Sequence, residues 1–162
     1  MKYKLSFKLP WSLVIIFLTS GLIFSNLAYS GDNSEFNRLQ QILINHGFIV
    51  KQEIPPMMNN LGLRPYGLMN SKTKTIWINP VVFELGNAQA VLVHEAVHAA
   101  QTCAGGGQVS LLNLDLDPPR FTRPYFMRYH SYRREIEAQA YTVQVQPDSL
   151  AIAIELLEQH CS

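Results

Sequence analysis

The chain has 162 residues, 48% of them hydrophobic and 15% charged, with a formal net charge of +1. Such a mix suits one globular domain with a single core and excludes a disordered or low-complexity chain. The near-neutral balance gives no global basic field, so neither nucleic acid nor an anionic membrane is indicated as a partner.

The N-terminus reads as a targeting segment. Lys2, Lys4 and Lys8 precede a mostly apolar stretch from Trp11 to Leu27, and the small residues Ala28 and Ser30 follow. That order is a secretory signal peptide over residues 1–30, with cleavage expected after Ser30. The apolar run is short for a membrane span and is broken by Thr19, Ser20, Gly21, Ser25 and Asn26, so no stable insertion is expected after cleavage. Residues 31–162 then form a single domain with a net charge near −2, because the segment removed carries three lysines and no acids. The expected location is secreted or periplasmic. Two cysteines remain, Cys103 and Cys161, and an isolated pair in an exported protein predicts one disulfide.

Taken in chain order, Phe36, Leu39, Ile42 and Leu43 give a helical stripe over 34–46, capped by Asn33 or Ser34 and ended by a left-handed Gly47. His46 at its end reads as structural. Residues 48–54 read as a strand and 55–65 as a loop. Residues 66–70 and 74–80 read as two strands joined by a Ser-Lys-Thr-Lys turn. Asn87 is expected to cap the next helix, which closes at Cys103. A Gly- and Pro-rich irregular segment covers 104–124, where Asp115 and Asp117 read as turn residues. One helix is expected from Tyr125 to Gln146, and a last one after Pro147, capped by Asp148 or Ser149.

The chemistry concentrates in residues 91–101, Val-Leu-Val-His-Glu-Ala-Val-His-Ala-Ala-Gln. Four residues is little more than one helical turn, so His94 and His98 project from one side and can share an ion. Glu95 lies beside that side, placed to take a proton from a water on the ion. The surrounding residues leave this helix almost no polar face, and polar groups in such surroundings need partners. Two histidines make an incomplete zinc site, so a third ligand must come from another element. The position six after His98 is Ala104, which offers none. Glu137, between Ile136 and Ala138 with Ala140 close by, is the better candidate, because small neighbours let its helix approach the first one. Glu135 should point elsewhere. Tyr141 shares the face of Glu137 and is a candidate to stabilise an oxyanion, ahead of His130 and the nearby arginines. Gln101 either orients a histidine or caps the helix end.

With these residues in place, the chain resembles a small gluzincin-type zinc metallopeptidase. The resemblance rests on His94-Glu95-Ala96-Val97-His98, the preceding strand, and the later Glu137-Ala138-Gln139-Ala140, and spans roughly 66–145. It implies an α+β, zincin-like fold, with a small antiparallel or mixed sheet packed on the HExxH helix and a second helix carrying the glutamate. It implies Zn²⁺ held by His94, His98 and Glu137, Glu95 as general base, and a peptide or protein substrate lying along the strand Thr75–Ile78 as an edge. Two features depart from the pattern. Tyr141 stands where many gluzincins have an acid, and Glu137 follows His98 by 39 positions. The alternative reading is a non-catalytic zinc-binding structural or sensing module on the same fold.

Overall fold

The computed structural model describes residues 30–56 and 64–161, and side chains from Ser34 onward. The expected signal peptide and most of the loop after Pro56 lie outside the described residues.

Helix α1 (Ser30–Asn45) buries Phe36, Leu39 and Leu43, one turn apart along a single stripe. Gly47 ends it at φ +82. There the Phe48 N–H donates to Leu43 O and the Gly47 N–H to Ile44 O, a Schellman cap that only a left-handed residue permits cheaply. The helix begins at Ser30, a turn before the expected start, so Asn33 and Ser34 lie inside it and are not its cap. No proline interrupts that turn, and a sequence pattern places helix ends poorly.

Strands β1 (Ile49–Lys51), β2 (Gly67–Asn70) and β3 (Thr75–Ile78) form a mixed sheet in the order β1-β3-β2. β3 pairs parallel with β1 and antiparallel with β2. Thr75–Ile78 is therefore the central strand and not an edge, which overturns the expectation for it. Its burial agrees, since Ile76 and Ile78 are fully covered. The first strand is shorter than expected because its partner is short and Pro55-Pro56 follows. Asn70 Oδ1 accepts from the Lys72 and Thr73 N–H groups and shapes the turn into β3.

A single turn, α2 (Val81–Glu84), leads into the long helix α3 (Ala88–Ala104). Phe83 meets Phe36 edge-to-face, tying α2 to α1. Asn87 occupies the N-cap position, but its φ/ψ of −124/17 is not extended, and its side chain caps nothing. Its buried Oδ1 has no partner among the described residues.

The helix expected from Tyr125 to Gln146 is two. α4 (Arg123–Phe126) stops, His130 adopts an extended conformation, and α5 (Ser131–Gln144) starts afresh. The Tyr129 carbonyl freed at the break accepts from Arg134 Nε and Nη2. Between Tyr129 and Ile136 only Tyr132 is at helical spacing, and it is exposed, so no buried side chain resists that break. α6 (Ser149–His160) closes the chain, with Asp148 before it but no side-chain cap.

α3 is the centre of the architecture. It packs against α5 and α6 and against strands β2 and β3. Leu92, Val93, Ala96, Val97, Ala99 and Ala100 are fully covered, which is why its sequence has no polar stripe. The disulfide Cys103–Cys161, with Cα atoms 5.1 Å apart, ties the end of α3 to the end of α6, as the sequence predicts. Among the described residues no helix is long and apolar enough to cross a membrane.

Candidate metal centre

α3 carries His94 and His98 one turn apart, and α5 brings Glu137 against them. Ala138 and Ala140 are buried beside Glu137, so small side chains line this helix contact. His94 Nε2 lies 3.2 Å from His98 Nε2. Glu137 Oε2 lies 3.4 Å from the first and 3.7 Å from the second. These atoms converge, and the group could hold a metal ion.

Hydrogen bonds at the far side of each ring decide what the convergence means. His98 Nδ1 is 2.7 Å from Gln101 Oε1. The same amide's Nε2 donates to Ile136 O and to Gln139 Oε1, so its oxygen must be the atom facing the ring. His98 Nδ1 therefore carries the hydrogen. His94 Nδ1 likewise donates to Gln144 Oε1 at 3.0 Å. Both neutral imidazoles then direct Nε2 lone pairs towards each other and towards a carboxylate, with no hydrogen to share. A cation, or a proton on one ring, is what makes that arrangement favourable. Metal-bound histidines are commonly fixed in this way through the second nitrogen.

The electrostatics follow the same logic. Burial pushes Glu137 up, but the hydrogen bonds and charges of His94 and His98 outweigh it and hold the carboxyl well below the usual range. Burial alone would lower His98, yet its bond to Glu137, the nearby Glu95 charge and Gln101 leave it raised. Glu137 Oε1 is turned outward to Arg133 Nε at 3.6 Å. Arg133 is over half exposed, so this pair orients the carboxylate and adds little stability, about 1 kcal/mol at most.

Glu95 is only 5% exposed. Burial raises its pKa, against the lowering pull of His94, His98 and a hydrogen bond from the Met69 backbone N–H. β2 supplies that donor because of its register. The Asn79 N–H donates to Tyr66 O, so Tyr66, Leu68 and Asn70 face β3 while the backbone groups of Gly67 and Met69 point out of the sheet. A Cβ on Gly67 would collide with Glu95 Oε1 and with Val91 Cγ1, 2.8 Å away. Glycine here lets the edge strand reach the helix.

Tyr141 sets its ring on His94, centroids 4.5 Å apart, and stacks on Tyr125 at 5.4 Å. Burial raises its pKa, so it stays a phenol and a donor. The other candidates lie elsewhere. Glu135 and His130 are exposed, as are Asp115 and Asp117, and none belongs to the converging group. Gln144, Gln139 and Gly67 escaped sequence reasoning. Gln144 lies two turns beyond Glu137 on one helix face, and a glycine inside a strand signals a close approach; those were the available signals.

No protein-family model matches this chain, and neither the curated proteins nor the solved structures contain a match to it.

Proposed function

We propose that the protein is an exported zinc-dependent peptidase of the gluzincin type on a zincin-like fold, with His94, His98 and Glu137 as ligands and Glu95 as general base. The observation that carries this reading is the facing pair of Nε2 lone pairs beside one carboxylate oxygen, both rings being locked by glutamine amides. Zinc is favoured by size. Ligands about 2.0–2.1 Å from a tetrahedral ion stand about 3.3–3.4 Å apart, and the observed separations run from 3.2 to 3.7 Å.

A bound zinc ion supplies Lewis acidity, making a water acidic and a carbonyl electrophilic. The chain supplies the rest. Gln101 and Gln144 keep each Nε2 free for the ion. Arg133 turns the other Glu137 oxygen towards it. Glu95 takes the water's proton and passes it to the leaving amine, and its raised pKa brings it nearer the range where it can do both. Tyr141 donates to the developing oxyanion. An extended peptide adds along β2, the edge strand beside Glu95, where Gly67 and the Met69 carbonyl offer outward backbone groups.

Burial of Glu95, with its bond from Met69, favours the alternative, a zinc-binding module without turnover. One variant separates the two. Glu95→Gln keeps the shape and removes the base. In the peptidase reading it retains zinc and loses roughly two to four orders of magnitude in rate. Equal cleavage of a peptide library by wild type and variant would remove Glu95 from the mechanism.

A further inference from the structure

The segment between α4 and α5 places two arginines on one tyrosine beside the metal centre. Arg133 Cζ lies 5.0 Å and Arg128 Cζ 5.5 Å from the centre of the Tyr129 ring. Cation–π contacts of this kind hold a guanidinium in place without neutralising it. Arg133 spends its charge on Glu137. Arg128 does not pair with an acid. Its geometric contact is with the Tyr129 ring, it interacts electrostatically with Tyr141, and among the described residues no carboxylate lies within ion-pair distance of it. It is also exposed, so it can be met from solvent.

Its position is what gives it meaning. Tyr141 sets its ring on His94 and also interacts with Arg128, so a single side chain links the guanidinium to one of the converging histidines. The local charge is unbalanced as well. With a divalent ion bound, the carboxylates of Glu95 and Glu137 face the ion's charge and two guanidiniums, leaving the mouth of the site positive. Such a site attracts an anionic ligand and discriminates against a cationic one.

We propose that Arg128, held on Tyr129 and Tyr141 beside His94, is the specificity element of the site and binds a carboxylate of the substrate one residue from the bond cut. This rests on the peptidase reading, and the carboxylate is either the C-terminus of a short peptide or an acidic side chain. A planar guanidinium takes a carboxylate through two parallel hydrogen bonds, a geometry the lysine ammonium lacks.

Binding to zinc-loaded protein tests this without turnover. Two pairs of peptide hydroxamates, anchored on the ion, serve as probes. One pair differs only in a terminal carboxylate against a carboxamide, the other only in a glutamate against a glutamine side chain. One pair should show the charged member binding about 10- to 100-fold tighter, the scale of a hydrogen bond to a charged group, and which pair it is identifies the source. In Arg128→Gln that ratio should fall to about one, with the neutral probe's affinity and the zinc content unchanged. Arg128→Lys should recover part of the ratio. Equal binding within both pairs, discrimination surviving in Arg128→Gln, loss of neutral-probe binding in that variant, or no binding of any probe would each overturn the proposal. Discrimination without cleavage of any peptide would instead keep the subsite and remove the peptidase reading.

Discussion

At the scale of single residues, the tautomers of two histidines decide the chemistry, and two glutamines decide the tautomers. Gln101 is fully buried, and its amide links His98 to Ile136 O and Gln139. Gln144 Oε1 accepts from His94 Nδ1 from a half-buried position, with no second side-chain bond among the described residues. Removing either partner lets its ring rotate or change tautomer, which typically costs about 10- to 100-fold in metal affinity. Competition against a chelator of known affinity should show that loss in both Gln101→Ala and Gln144→Ala. Only Gln101→Ala should also lower thermal stability, because it leaves a buried carbonyl without its donor, about 1–3 kcal/mol. The facing of His94 and His98 was legible in the sequence because a four-residue spacing has one geometric meaning on a helix, and the alanines beside Glu137 pointed to the close helix contact that brings it to them. Gln144 and Gln139 were not, since glutamine on a helix is ordinarily a solvated residue and only the contact between α3 and α5 gives these two a task.

At the scale of elements, the helices and strands were legible in kind and less so in extent. The stripe Phe36–Leu39–Leu43 and the Gly47 cap define α1 whatever the tertiary context. The break at His130 was hidden, because Tyr129, Tyr132 and Ile136 keep helical spacing through it and no proline or glycine marks where one helix stops and another starts. The strand order was hidden too. Alternation marks a strand but not its neighbours, and the parallel pairing of β1 with β3 joins residues far apart in the chain. The cysteines were readable, as an isolated pair behind an expected signal peptide has few alternatives. Their bond closes a loop with a sequence separation of 58. Cross-linking at that separation should contribute about 4 kcal/mol by restricting the unfolded chain. Chemical denaturation of Cys103→Ser/Cys161→Ser, compared with the oxidised wild type, should show a loss of that order. The loss should match that of the reduced wild type, since nothing else in the contact between α3 and α6 changes.

At the scale of the whole molecule, stability and metal binding are linked through pH. In the metal-free protein His98 titrates above its ordinary value of 6.5. Its protonated form therefore stabilises the fold below that value, and the contribution is lost as pH rises through the raised pKa. Glu137 is lowered from 4.5, so its contribution is present above 4.5 and fades only as pH falls towards its folded value. Glu95 is raised from 4.5, so ionising it adds a cost as pH rises. The His98 and Glu137 signs place the greatest stability of the metal-free protein between about pH 4.5 and 6.5, with Glu95 lowering it from 4.5 upward, so it weakens towards neutral and alkaline pH. An ion needs His98 deprotonated, so zinc should stabilise least near pH 5 and most above the raised His98 value. Melting temperatures measured with zinc and with chelator across this range should diverge as pH rises. Parallel curves would contradict the assignment of His98.

Two imidazole nitrogens and one carboxylate oxygen from α3 and α5 are proposed to hold a single zinc. X-ray absorption of the zinc-loaded protein, with zinc counted by elemental analysis, tests this assignment most directly. About one zinc per chain is expected, in a four-coordinate shell of nitrogen and oxygen only, with distances of about 2.0–2.1 Å and two imidazoles. His94→Ala, His98→Ala and Glu137→Ala should each abolish stoichiometric binding. A sulfur scatterer near 2.3 Å, a single imidazole, or full zinc retention in Glu137→Ala would contradict it.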